Sequence, residues 1–361
     1  MAKAKDIVGL DCRASATSCV LLVLRTRLEE MCQFRAAALD WSDIEGVHDM
    51  RVASRRLRSA LRDFKPYLRI KKMRRASEYL KSIADALGKV RDHDVAILAL
   101  EELKAEAPGE TLAGINHLIA ERAAAREQAR AALTEAISEG AIERLRGEFI
   151  YSLERATRDG LAGAHTAAGT GSDADAQGLS FQQAGREIIV ARWEELQGLS
   201  ASLYQPFETE PLHQMRIAGK RLRYAIELFT PAWGESLVPF AKEMTKLQSH
   251  LGEVHDCDEW IAALGARLGA WAIERGASEA EPDAEIELEK RRALFWLLGS
   301  FTKERTKHYC AALERVDEWE QKSFAANLMA SLEREPEAIE PTTPPESMPE
   351  AEPQATDLQN A

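Results

Sequence analysis

The chain is predicted to be all-α and to be built twice. Three observations predict this. Val47–Pro66, VHDMRVASRRLRSALRDFKP, returns as Leu212–Pro231, LHQMRIAGKRLRYAIELFTP. No run alternates apolar and polar residues in the manner of a strand. Ala, Leu, Glu and Arg dominate, and aromatics make up only 6% of the 361 residues, a composition that favours helix.

The repeated segment defines what was duplicated. At about 100° per residue, Ala53, Leu57, Ala60, Leu61 and Phe64 fall on one side of a helix. His48, Arg51, Arg55, Arg58 and Arg62 fall on the other, with Arg56 at the border. In the second copy Ala218, Leu222, Ala225, Ile226 and Phe229 oppose His213, Arg216, Lys220 and Arg223, with Arg221 at the border. Glu227 stands where Arg62 would be and breaks the second stripe. Exposed helices ordinarily mix signs, because like charges three or four residues apart repel. A row of guanidiniums suits a polyanion with closely spaced oxygens, above all phosphates.

The elements follow in order. A helix is predicted over about 15–40, then the basic helix from His48 to Lys65, stopped by Pro66. A third helix spans Lys71–Leu87, with Gly88 as its C-terminal breaker. The stretch LGKVRDHD (Leu87–Asp94) has a partner in LGEVHDCD (Leu251–Asp258). Asp92 and Asp256 suit N-caps of the helices that follow, or charge partners of nearby arginines. Further helices are expected at about 95–105, 111–138 and 141–158. The second half starts with one at 181–200 and ends with others at 236–251, 257–275 and 284–330. Glu281, Pro282 and Asp283 mark a turn before the last.

The chain accordingly divides into an N-terminal segment (1–14), a first helical half (15–160), a Gly/Ala/Ser linker (161–179) and a second helical half (180–332). An acidic, Pro-rich tail (333–361) is expected to be disordered. The five cysteines show no metal-ligand spacing and are odd in number, which fits a reducing compartment. No signal peptide is visible, and Val20–Leu24 is too short to cross a membrane, so a cytoplasmic location is expected. Net charge is −12, so most of the surface should repel duplex DNA. No cofactor or metal centre is expected, and no membrane partner.

The paired motifs, His-x-x-Arg-Val/Ile-Ala-x-Arg/Lys-Arg-Leu-Arg and Leu-Gly-x-Val-x-Asp, resemble the CHAD family, the conserved histidine α-helical domain. The resemblance runs from about residue 10 to 330. It implies two pseudo-symmetric antiparallel helical bundles, related by internal duplication and facing a central basic cavity. It also implies binding of inorganic polyphosphate, often at polyphosphate granules. By motif position the implied ligands are His48, Arg51, Arg55, Arg56 and Arg58, then His213, Arg216, Lys220, Arg221 and Arg223. Many relatives carry a fused CYTH-type triphosphate-tunnel domain. No strand-rich segment of that kind is read here, which removes the main reason to expect catalysis.

Three competing readings remain. His48-Asp49 and His255-Asp256 spell the His-Asp pair of metal-dependent phosphohydrolases, but neither pair survives duplication: Asp49 becomes Gln214, and His255 becomes Arg91. Single-stranded RNA would call for stacking aromatics, and Tyr224 alone lies near the basic face. A structural scaffold would have its arginines paired with acids of neighbouring helices. Whether the arginine face is internally neutralised separates that reading from polyanion binding.

Overall fold

In chain order the computed structural model, which describes residues 4–163, 178–277 and 284–334, forms α1 (Ala16–Gln33), α2 (Arg35–Ala38), α3 (Glu45–Asp63), α4 (Arg74–Lys104), α5 (Leu112–Ala136) and α6 (Glu139–Gly163). The second half forms α7 (Phe181–Gln197), α8 (Thr209–Trp233), α9 (Val238–Ala277), α10 (Ala284–Gln321) and α11 (Phe324–Glu333). The all-α expectation holds among the described residues. Their one bridge pairs Ser15 with Ser180. These serines occupy matching positions and cap α1 and α7. Ala16 N donates to Leu179 O, and Phe181 N to Ala14 O, both at 2.9 Å, so the starts of the two halves are tied together.

The halves share one packing order. Helix α1 packs on α3, α3 on α4 and α4 on α5, while α7 packs on α8, α8 on α9 and α9 on α10. Contacts between α1 and α7, α3 and α8, and α5 and α10 join them. The apolar faces read from the sequence make the core: Ala53, Leu57, Ala60 and Phe64 are buried, as are Ala218, Leu222, Ala225 and Phe229. Phe64 and Phe229, aligned in the repeat, meet edge to face at 5.8 Å, with Phe181 4.8 Å from Phe229. A smaller cluster around Leu100, Leu118, Leu264 and Phe301 joins α4, α5, α9 and α10 farther along.

Two expectations need correction. Gly88 does not end a helix, because α4 runs unbroken from Arg74 to Lys104, and α9 likewise passes through Gly252. A glycine inside a helix costs about 1 kcal/mol relative to alanine. Its reason here is space: a Cβ on Gly88 would lie 2.8 Å from Arg51 Nη1. Asp92 and Asp256 therefore sit mid-helix and cap nothing. The helix expected over 284–330 is interrupted after Gln321, and Ser323, whose φ of 52° is left-handed, precedes the short α11. Of the expected linker, residues 164–177 lie outside the described residues, as do the turn at Glu281–Asp283 and the tail beyond 334.

The aromatic contact at the joint sets a stability test. Phe64→Ala or Phe229→Ala should each cost about 3–5 kcal/mol in urea unfolding, the range for a fully buried phenylalanine. A cost under about 1 kcal/mol would mean the two halves do not depend on this joint.

Candidate functional site

The basic stripes of α3 and α8 approach one another, and between them lies a cavity of about 440 Å³. His48, Arg51 and Arg55 enter it from α3, at helical spacings of three and four. Arg216 and Lys220 enter from α8. Helix α4 adds Arg91 and Asp92, α5 adds Arg122, and α9 adds His255, Asp256, Glu259 and Trp260. Six cationic side chains thus face three carboxylates. Trp260 stacks on Phe301 at 5.0 Å, and the Arg122 guanidinium lies over its ring at 5.0 Å.

The carboxylates balance these cations only loosely. Arg51 Nη1 lies 3.4 Å from Asp92, and Arg216 Nη2 lies 3.7 Å from Asp256. These aspartate side chains are 70% and 45% exposed, so water weakens their hold. Among the described residues Arg55, Arg122 and Lys220 have no carboxylate within 4 Å. The buried Nε of Arg216 and Nη1 of Arg91 find no hydrogen-bond acceptor there.

Crowded charge shows in the proton affinities. Burial, then Arg216 and Arg55, pushes the Lys220 ammonium down to about 7. Burial, then Arg216 and His213, pushes His255 down to about 4. Burial and Arg91 lower His48; burial and Arg216 lower His213. His213 does not line the cavity but lies behind it, its Nδ1 3.0 Å from His255 Nδ1. One ring must accept while the other donates, so both cannot be fully protonated in this arrangement.

Four residues carried over from the motif point elsewhere. Arg56 pairs with buried Glu30 of α1 at 3.2 Å, and Glu30 is also held by Arg27 at 2.6 Å. The second half repeats this: Arg221 and Arg192 both pair with Glu195 of α7. Arg223 is buried, bonded to Gln248 at 2.9 Å and to Glu227 at 3.0 Å. Arg58 is exposed and lies off the cavity. For Arg56 and Arg221 the physical reason is helical phase: each lies one residue, about 100°, around from Arg55 or Lys220, and so faces α1 or α7 instead of the cavity. The sequence reading missed Arg91, Arg122, His255 and Trp260. Arg91 and His255 hold matching places in the Leu-Gly motif, one residue before Asp92 and Asp256. The available signal was a continuous helix through Gly88, which puts Gly88, Arg91 and Asp92 on one face.

Fold and site together define a duplicated helical protein with a basic cavity between its halves. The chain belongs to the CHAD domain family: the family model for the CHAD domain matches residues 22–265. The crystal structure of the CHAD domain from the plant Ricinus communis is similar, with a TM-score of 0.62 and 21% identity over 84% of this chain and 90% of that one. PptA from Streptomyces chartreusis is similar with a TM-score of 0.55 and 15% identity, over 84% of this chain and 100% of that one. Both likenesses concern the fold. A search of curated proteins finds no match. No helix among the described residues is long and apolar enough to cross a membrane.

The depressed Lys220 has a consequence for stability. Unfolded, a lysine keeps its proton up to about 10.5; in the fold Lys220 keeps it only up to about 7. Between these values the unfolded chain binds more protons, so stability falls as pH drops from 10.5 to 7. Lys220→Met should therefore raise Tm at pH 7, and the gain should shrink toward pH 10. A thermal scan showing no gain at pH 7 would contradict the crowding.

Proposed function

We propose that this chain binds inorganic polyphosphate in the cavity between α3 and α8, acting as a binding protein rather than an enzyme. The carrying observation is the surplus of cations. Arg51, Arg55, Arg216 and Lys220, from two helices, converge on one cavity with only loose carboxylate compensation. A phosphate chain supplies the missing negative charge at every unit. The arginines fork two oxygens each, while Lys220 adds charge without that geometry. The cavity's confinement within an acidic chain disfavours duplex DNA. Trp260 is already stacked on Phe301, which leaves little aromatic surface for RNA bases. Family membership supports the reading, and we extend the proposal to a cytoplasmic role at polyphosphate granules.

The test is calorimetric titration of the full chain with long-chain polyphosphate at near-physiological salt. Arg51→Glu/Arg216→Glu should weaken binding by roughly 100-fold or more, about 2.7 kcal/mol, while single-stranded RNA should not bind. Binding to the parent that survives in this variant would overturn the site assignment. Bound phosphate should raise the Lys220 pKa from about 7, so affinity should fall as pH rises above 7, by at most about tenfold per unit for one proton. A flat profile from pH 6 to 9 would remove Lys220 from the site.

Gly88→Ala gives an independent check. It removes a helix-interior glycine, a change worth about 1 kcal/mol, yet must displace the Arg51 guanidinium. Unchanged or higher stability with weaker polyphosphate binding is expected. Unchanged binding would show that Arg51 is not a ligand.

A second reading is a metal-dependent phosphohydrolase. His255, Asp256 and Glu259 bring ligand atoms within 4.8 Å of one another, as do Glu45, His48 and Asp49. Arg216 and Lys220 beside the first group oppose a bare dication there. Phosphate release from polyphosphate that needs Mg²⁺ or Mn²⁺, measured on the same preparation, would favour this reading over binding alone.

A further inference from the structure

Lys220 differs from surface lysines such as Lys246 and Lys307 in its company. Lys246 and Lys307 hold Glu243 and Glu304 at 2.7 and 2.8 Å. Lys220 lies on the cavity wall with no carboxylate within 4 Å among the described residues. The groups that act on it are Arg51 and Arg55 from α3, Arg216 from its own helix, and His255 and Asp256 from α9. Guanidiniums from two helices that line the same cavity make this a place where a phosphate group can dock beside a side-chain amine.

We propose, resting on the anion-binding reading above, that Lys220 is an acylation site served by acyl phosphates docked in the cavity. The phosphate of such a donor meets Arg216 and Arg55, which places its acyl carbon beside Nζ. Nζ attacks that carbon. The N–C bond forms as the acyl C–O bond breaks, and the electron pair leaves with the phosphate. The amine's proton passes to the departing phosphate or to solvent. The guanidiniums that recruit the donor also stabilise the leaving phosphate. Burial and the neighbouring arginines keep much of the amine unprotonated near neutral pH, the usual route to a nucleophilic lysine. The product amide cannot take up the proton that a bound polyanion would draw onto Nζ, so the cavity loses a cation of the bound state and with it affinity for polyanions.

Acetyl phosphate is the probe. The full chain is incubated with it at pH 7.5, and acetylation at each lysine is followed by peptide mass spectrometry. Parallel samples use N-hydroxysuccinimidyl acetate, an acyl donor without phosphate, and added polyphosphate. Polyphosphate binding is measured separately on the same preparation. Lys220 should acetylate at least roughly tenfold faster than Lys246 and Lys307, saturate with acetyl phosphate, and be protected by polyphosphate. Polyphosphate binding with no excess rate at Lys220 overturns this proposal alone. Loss of both overturns the binding reading as well. Equal selectivity for Lys220 with the phosphate-free donor overturns the recruitment step.

Discussion

Repulsion among half-buried cations is the constraint around which this fold is organised. Bringing Arg51, Arg55, Arg216 and Lys220 to one cavity is costly, because each raises the energy of the others where water is partly excluded. The rest of the structure holds them there. Apolar faces of α3 and α8 anchor both stripes in the core. The Phe64–Phe229 contact joins the two helices. Gly88 leaves room for the Arg51 guanidinium, and Asp92 and Asp256 restrain Arg51 and Arg216 without saturating their donors. Binding sites are often held against stability in this way.

The chain uses arginine in two distinct manners, and partner geometry separates them. Arg56 meets a Glu30 side chain that is 4% exposed, and Arg27 closes the same network. Arg192, Glu195 and Arg221 repeat it in the second half. Breaking the buried Arg56–Glu30 pair should cost about 3–5 kcal/mol, because a charge is then stranded, whereas the second-half network is more exposed and more screened by water. These arginines tie α1 to α3 and α7 to α8. The motif's second aspartates act similarly toward the next helix: Asp94 holds Arg126 of α5, and Asp258 holds Arg305 of α10. The scaffold reading of the arginine face therefore describes Arg56 and Arg221, while Arg51, Arg55 and Arg216 are left for the proposed ligand.

The helical class, the repeat and the apolar faces were legible because each rests on local periodicity. His48, Arg51, Arg55, Arg216 and Lys220 were legible because one wheel places them together. Arg56 and Arg221 were misassigned because their partners, Glu30 and Glu195, lie on other helices. A signal existed: Arg27-x-x-Glu30 and Arg192-x-x-Glu195 extend the repeat upstream of the motif. Gly88 was misread because its cause, the approach of Arg51, is tertiary. That error hid the continuous helix, and with it the places of Arg91 and His255. Arg122 and Trp260 carry no repeat signal and come from helix packing alone.

The central claim is that the cavity is a set of under-compensated cations completed by an anion. The most direct measurement is the Lys220 titration, followed by NMR on chain carrying isotope-labelled lysine, with and without pyrophosphate. The account predicts a pKa near 7 in the free protein, moving toward 10.5 when pyrophosphate is added. A value near 10.5 in both samples would contradict it.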